Sequence, residues 1–177
     1  NNVIEYKNPK ILHFASHSTF ESDKKDLYLT HLVNSGIALT GANDKEDFLD
    51  DGFLSSLELA KLNLQNTELV VVSGCESGLG LINLQGEALY GLKRSIAVSG
   101  ARSSILSLWP VADKATSIFM INFYKRLTSG ESRYDALINT QRDFRLGVIS
   151  SDGIEDWTDI FYWGAFQLSG DWRSINF

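Results

Sequence analysis

Cys75 is the only cysteine in the chain, and it directly follows the most strand-like run, Leu69-Val-Val-Val-Ser-Gly74. A cysteine attacks as the thiolate, so a working nucleophile near neutral pH needs a base or a positive field beside it. His17 is the candidate base. It stands just past a second apolar run, Lys10-Ile-Leu-His-Phe-Ala-Ser16, and an ordinary imidazole, with a pKa of about 6.5, can take the thiol proton and return it to a leaving amine. Backbone N–H groups at Cys75 and Ser18, with Gly74 in the same turn, could hold an oxyanion, because glycine-flanked turns let main chain approach a substrate closely. The bland alternative is that a free cysteine fills space in the interior. Ser73 and Ser77 are not in a Gly-x-Ser-x-Gly elbow, which argues against a serine hydrolase. Glu76 reads as a solvent-facing loop residue rather than a third catalytic member.

Two strands are needed to bring these groups together. Leu69–Val72 is continuously apolar and β-branched, the pattern of a strand buried on both faces of a parallel sheet. Residues 10–16 read as its neighbour, with His13 as a packed strand residue. His17 and Cys75 are 58 positions apart, and two parallel strands ending in them would meet at the carboxyl edge of the sheet, where open α/β sheets bind ligands. Further strands are expected at Ser35–Thr40, at Ser103–Trp109, closed by Pro110, and at Phe161–Leu168. Helices are expected after Ser55 or Ser56, over Gly86–Ser99 with Gly100 as the stop, over Asp113–Thr128, and from Ser132 with Asp135 in a capping-box position. Residues 18–33 and 41–54 read as long loops, candidates for switch regions. The acidic run 41–52 lacks the spacing of a calcium loop. Strands alternating with helices indicate an α/β sandwich around a mostly parallel sheet.

The chain has 177 residues, enough for one domain with a proper core. A formal net charge of −6 and a pI near 5.0 argue against nucleic acid or an anionic membrane as partner. One cysteine cannot build an internal disulfide, which fits a cytoplasmic setting. Three scattered histidines give no zinc spacing, and Gly78-Leu-Gly80 is not followed by the Lys-Ser/Thr of a phosphate loop, so neither a metal nor another cofactor is expected.

Taken together, these blocks resemble the CHAT domain, a caspase-like cysteine peptidase family related to separase. The resemblance is carried by Leu12-His-Phe-Ala-Ser-His17, by Leu69 to Gly80, by Gly86-Glu87, by Ser99 to Asp113, by Phe123-Tyr124 and by Phe161 to Trp172. It implies a caspase-like three-layer sandwich, a His17–Cys75 dyad and endopeptidase action on a protein substrate. Family members usually carry Gly after the catalytic His, where this chain has Ser18. In separases an acidic residue ending a Trp-x-Val-x-Asp segment faces a basic P1 side chain, and Trp109-Pro-Val-Ala-Asp113 supplies Asp113 at the matching place. Asp113 also reads as the N-cap of the helix that follows. The resemblance further implies control by a partner or sensor region such as tetratricopeptide repeats. It also implies that the family's earlier strands lie outside this chain, which begins immediately before the His strand. The alternative function, from a different class, is an inactive caspase-like scaffold.

Overall fold

The computed structural model describes residues 9–16, 18–20, 35–40, 42, 52–74, 82–150 and 156–177, with backbone alone at 18–20, 35 and 82–88. Two sheets are present. The main one holds β1 (Ile11–Phe14), β5 (Leu69–Val72), β6 (Ser103–Ser107) and β7 (Phe166–Gly170), side by side in that order. β1, β5 and β6 are parallel, and β7 runs antiparallel to β6. The smaller sheet is antiparallel: β2 (Ser18–Phe20), β3 (Ser35–Ala38) and β4 (Phe53–Ser55).

The central strands are buried on both faces because their side chains alternate between two cores. Leu69, Val71 and Ile105 join one core with Phe119, Phe123, Leu127, Leu137 and Phe144. These aromatics and aliphatics come from α3 (Asp113–Thr128) and α4 (Arg133–Arg145). Val70, Val72 and Leu106 point the other way, into a core with Leu59, Leu92 and Ile96, supplied by α1 (Ser56–Lys61) and α2 (Ile82–Val98). The result is a three-layer α/β/α sandwich with a mostly parallel central sheet, as the alternation of strands and helices indicates. Burying each Leu, Val or Phe in these layers contributes roughly 1.5–3 kcal/mol.

The helix ends follow the expected signals. Ser55 caps α1 in a full capping box with Glu58, and Ser132 caps α4 by accepting from the Asp135 N–H at 3.0 Å. Gly100 follows α2 with φ at 97°, a left-handed turn that a Cβ would strain.

Four expectations need correction. Ser18–Phe20 is a strand, so the loop expected from 18 begins later; residues 21–34 lie outside the described set. Phe53–Ser55 is likewise a strand rather than the end of a loop, since it pairs with β3. The strand expected at 161–168 is instead α5 (Ile160–Trp163) followed by β7. Asp159 dictates this by capping the helix, accepting from the Phe161 N–H at 2.8 Å. Gly164 lets α5 end tightly, because a Cβ there would lie 2.7 Å from the Ile160 side chain. Finally, Asp113 is not the cap of α3. Ala112 flanks that helix without a side-chain bond, and Asp113 is its first residue.

One charge is fully interior. Arg133 is 0% exposed; it pairs with Glu68 at the start of β5, lies 3.7 Å from Asp171 and donates to the Arg173 carbonyl at 2.7 Å. It therefore ties the start of α4 to the amino end of the sheet and the tail after β7. Arg133→Ala is expected to lower unfolding free energy by roughly 3–5 kcal/mol, the cost of stranding carboxylates around a removed buried partner. Urea denaturation checks this, and a loss below about 1 kcal/mol would contradict the assigned role.

Candidate active site

β1 and β5 set the geometry of the site. Their register runs from Ile11 beside Leu69 to Phe14 beside Val72, the same sequence offset that separates His17 from Cys75. The pairing continues past the strands, with the Ser73 N–H donating to the Phe14 carbonyl at 3.1 Å. At the next step the backbones nearly touch. A Cβ on Gly74 would sit 1.8 Å from the Ser16 carbonyl oxygen, so only glycine fits before Cys75. Ser16 is anchored in turn by donating from its hydroxyl to the Ala38 carbonyl on β3. His17 and Cys75 themselves lie outside the described residues, as does the side chain of Ser18, whose backbone opens β2.

Beside these strand ends lies a cavity of about 790 Å³. His13 of β1 and the residues just past the ends of β1 and β5, Ala15, Ser16, Ser73 and Gly74, form one wall. α3 forms the other, through Asp113, Thr116, Met120 and Tyr124 among others, positions three or four apart and so on one helix face. α3 follows β6 and returns across the sheet, which puts Asp113 at the carboxyl edge, by the strand ends, and Tyr124 about three turns away. The segment leading into α3 is pinned. The Ser107 hydroxyl donates to the Trp109 carbonyl at 2.7 Å, and the Trp109 indole donates to the Phe161 carbonyl at 2.9 Å.

Part of the cavity wall is a polar trio. His13 Nε2 is 2.9 Å from Ser73 Oγ, and His13 Nδ1 is 3.0 Å from the Tyr124 hydroxyl. His13 is thus a satisfied strand residue, as read from the sequence, yet half-buried and lining a cavity. Burial pushes its pKa below the ordinary 6.5, since desolvation disfavours the cation. Burial also pushes the Tyr124 phenol up, so it stays protonated and able to donate. Sequence reading missed Ser73 and Tyr124 as partners of this histidine. The available signal was weak: Ser73 is two residues before the cysteine, and Tyr124 lies on the same helix stripe as Asp113. Among the described residues no group of three or more His, Cys, Asp or Glu is placed to hold a metal ion.

A three-layer sandwich with a mostly parallel sheet, whose first two strands end together beside a cavity, defines a caspase-like α/β protein. The family model of the CHAT domain matches residues 1–171. The chain belongs to the CHAT domain family, a caspase-like family of peptidase type. A comparison with curated proteins returns no significant match. No helix among the described residues is long and apolar enough to cross a membrane.

Two outcomes follow from this geometry. Gly74→Ala is expected to destabilise the fold by roughly 1–3 kcal/mol, the usual penalty for forcing atoms into a packed site, read by thermal or urea unfolding; unchanged stability would show that the two backbones are not held together. For pH, the folded state disfavours protonated His13, so the unfolded chain binds more protons between the lowered pKa and 6.5. The His13 contribution is therefore intact above about pH 7 and lost as pH falls through that window. The difference in stability between wild type and His13→Gln, followed from pH 7.5 to 5, is expected to shrink on acidification, and a difference that grows would reverse the sign.

Proposed function

We propose that this chain is a cysteine endopeptidase domain in which His17 activates Cys75 for attack on a peptide carbonyl. Support comes from the β1–β5 register and the close approach of Ser16 and Gly74, the residues that precede His17 and Cys75 in sequence, and that observation carries the reading. In the proposed cycle His17 takes the thiol proton, the thiolate adds to the scissile carbonyl, and the oxyanion is met by main-chain N–H groups of Cys75 and Ser18, with Gly74 allowing the close approach. His17 then protonates the leaving amine, and water releases the acyl group.

The side chain preceding the scissile bond enters the adjacent cavity in this reading. Asp113, lining it near the strand ends, favours Arg or Lys there through a charge-assisted, bidentate-capable contact. Its place in the first turn of α3 also suits a carboxylate, because the helix dipole favours negative charge there. Regulation by a partner or sensor region completes the proposal, with a tetratricopeptide array as the type of region that resemblance to the family implies.

Cleavage of an unbiased peptide library by the intact parent protein, with candidate activators present, tests this reading. Cys75→Ala and His17→Ala are each expected to abolish cutting. Asp113→Asn is expected to reduce the preference for basic over neutral P1 residues by about tenfold or more, the scale of one such contact. Absence of cutting under every condition, together with slow alkylation of Cys75 that ignores His17, would favour the inactive scaffold instead.

A further inference from the structure

The hydrogen bonds of His13 in the cavity wall constrain the charge of what can enter. A neutral imidazole has one N–H and one acceptor nitrogen, so one flanking hydroxyl donates to the ring of His13 and the other accepts from it. In that state the hydroxyl oxygens of Ser73 and Tyr124 retain lone pairs, and the trio of His13, Ser73 and Tyr124 carries no charge. An imidazolium donates through both nitrogens. Both hydroxyl hydrogens are then turned away from the ring, and the trio becomes a cluster of donors around a positive charge, hostile to an ammonium or guanidinium group.

The other groups facing this histidine do not cancel that charge. From β5 the neighbour is Ser73, which is neutral. From α3 come Tyr124, held as the phenol by burial, and two charged residues of the cavity wall, Asp113 and Lys125. Asp113 stands about three helical turns from Tyr124, and Lys125 adds a second cation next to it.

We propose that His13 is a specificity-determining residue whose neutral ring leaves the cavity open to a basic side chain and whose protonated ring excludes one. The proposal rests on the reading of this cavity as the receptor for the residue before the scissile bond, but not on any reaction at Cys75. Reciprocity makes it measurable without catalysis: if acid weakens binding of a cation, the bound cation must make His13 harder to protonate by the same factor.

The experiment uses Cys75→Ala protein labelled at histidine, with imidazole signals followed by NMR against pH. The three histidines are assigned by single Gln substitutions; should the His13 variant not fold, the His17 and His31 variants assign it by elimination. Acetyl-argininamide is the probe and acetyl-norleucinamide the neutral control. Saturating arginine probe is expected to lower the His13 midpoint by about one pH unit, equivalent to roughly tenfold weaker binding once His13 is charged; the norleucine probe is expected to leave it in place. A midpoint that stays or rises with the arginine probe bound overturns the proposal, as does failure of that probe to bind at any pH. The peptidase reading fails on a different result, cutting that survives loss of Cys75 or His17, which leaves the midpoint untouched.

Discussion

The close approach of two backbones, at Ser16 and Gly74, is the constraint from which the rest of the site follows. Parallel strands can sit side by side only if a long crossover connects them, and here the connection between β1 and β5 spans residues 15–68 and includes the small antiparallel sheet and α1. That excursion is tolerated because the two strands are locked by main-chain pairing and by cores on both faces. Where the pairing ends, the carbonyl of Ser16 occupies the space a side chain at position 74 would need. A glycine there is thus a packing requirement, and it brings the segment entering Cys75 close to the segment entering His17.

α3 does two jobs with adjacent faces. Ala115, Phe119, Phe123 and Leu127 are fully buried against the sheet and α4, and Phe119 stacks on Phe166 of β7 with ring centres 4.3 Å apart. The neighbouring stripe faces the cavity. A helix that lines a recognition site must not roll, and this one is held at both ends. Trp109 fixes the approach to its start, while near its end Arg126 pairs with Glu131 at 3.2 Å and with Asp143 of α4. In the proposed peptidase, rigid placement of the wall is what would let single residues such as Asp113 and Tyr124 discriminate between occupants.

Much of this was legible in the sequence because the strongest signals are local. Leu69–Val72 and Ser103–Ser107 announce buried strands by composition, Ser55, Ser132 and Gly100 punctuate helices, and the α3 stripe has the helical period. The misreadings arose where a local cue competed with a stronger one. Phe161-Tyr-Trp looks like a strand from its aromatic content, yet Asp159 supplies a cap and Gly164 a stop, and the segment winds into a turn of helix. Asp113 has the composition of a cap, but the chain turns helical one residue sooner. The partnership of His13 with Tyr124 joins residues 111 apart, and no spacing rule relates positions on a strand and a helix that meet only through the tertiary fold. The family resemblance, in contrast, spans blocks along the chain and carries the site assignment at His17, Cys75 and Asp113.

The charge layout of the cavity wall is polarised along α3. Asp113 lies at the carboxyl edge, where both the site and the start of α3 are; Lys125 lies three turns along, where the helix carbonyls favour a cation. The two charges of the wall thus stand about three helical turns apart, the carboxylate by the strand ends and the lysine near the other end of α3. The wall also carries groups that are neutral by default: a phenol raised by burial, a serine hydroxyl, and an imidazole that burial keeps uncharged at neutral pH. Of these three, only the imidazole can change charge within the physiological range, and it sits in β1, the strand that leads to His17. The same desolvation that makes His13 a costly residue to protonate in the folded chain is what lets the trio of His13, Ser73 and Tyr124 remain neutral.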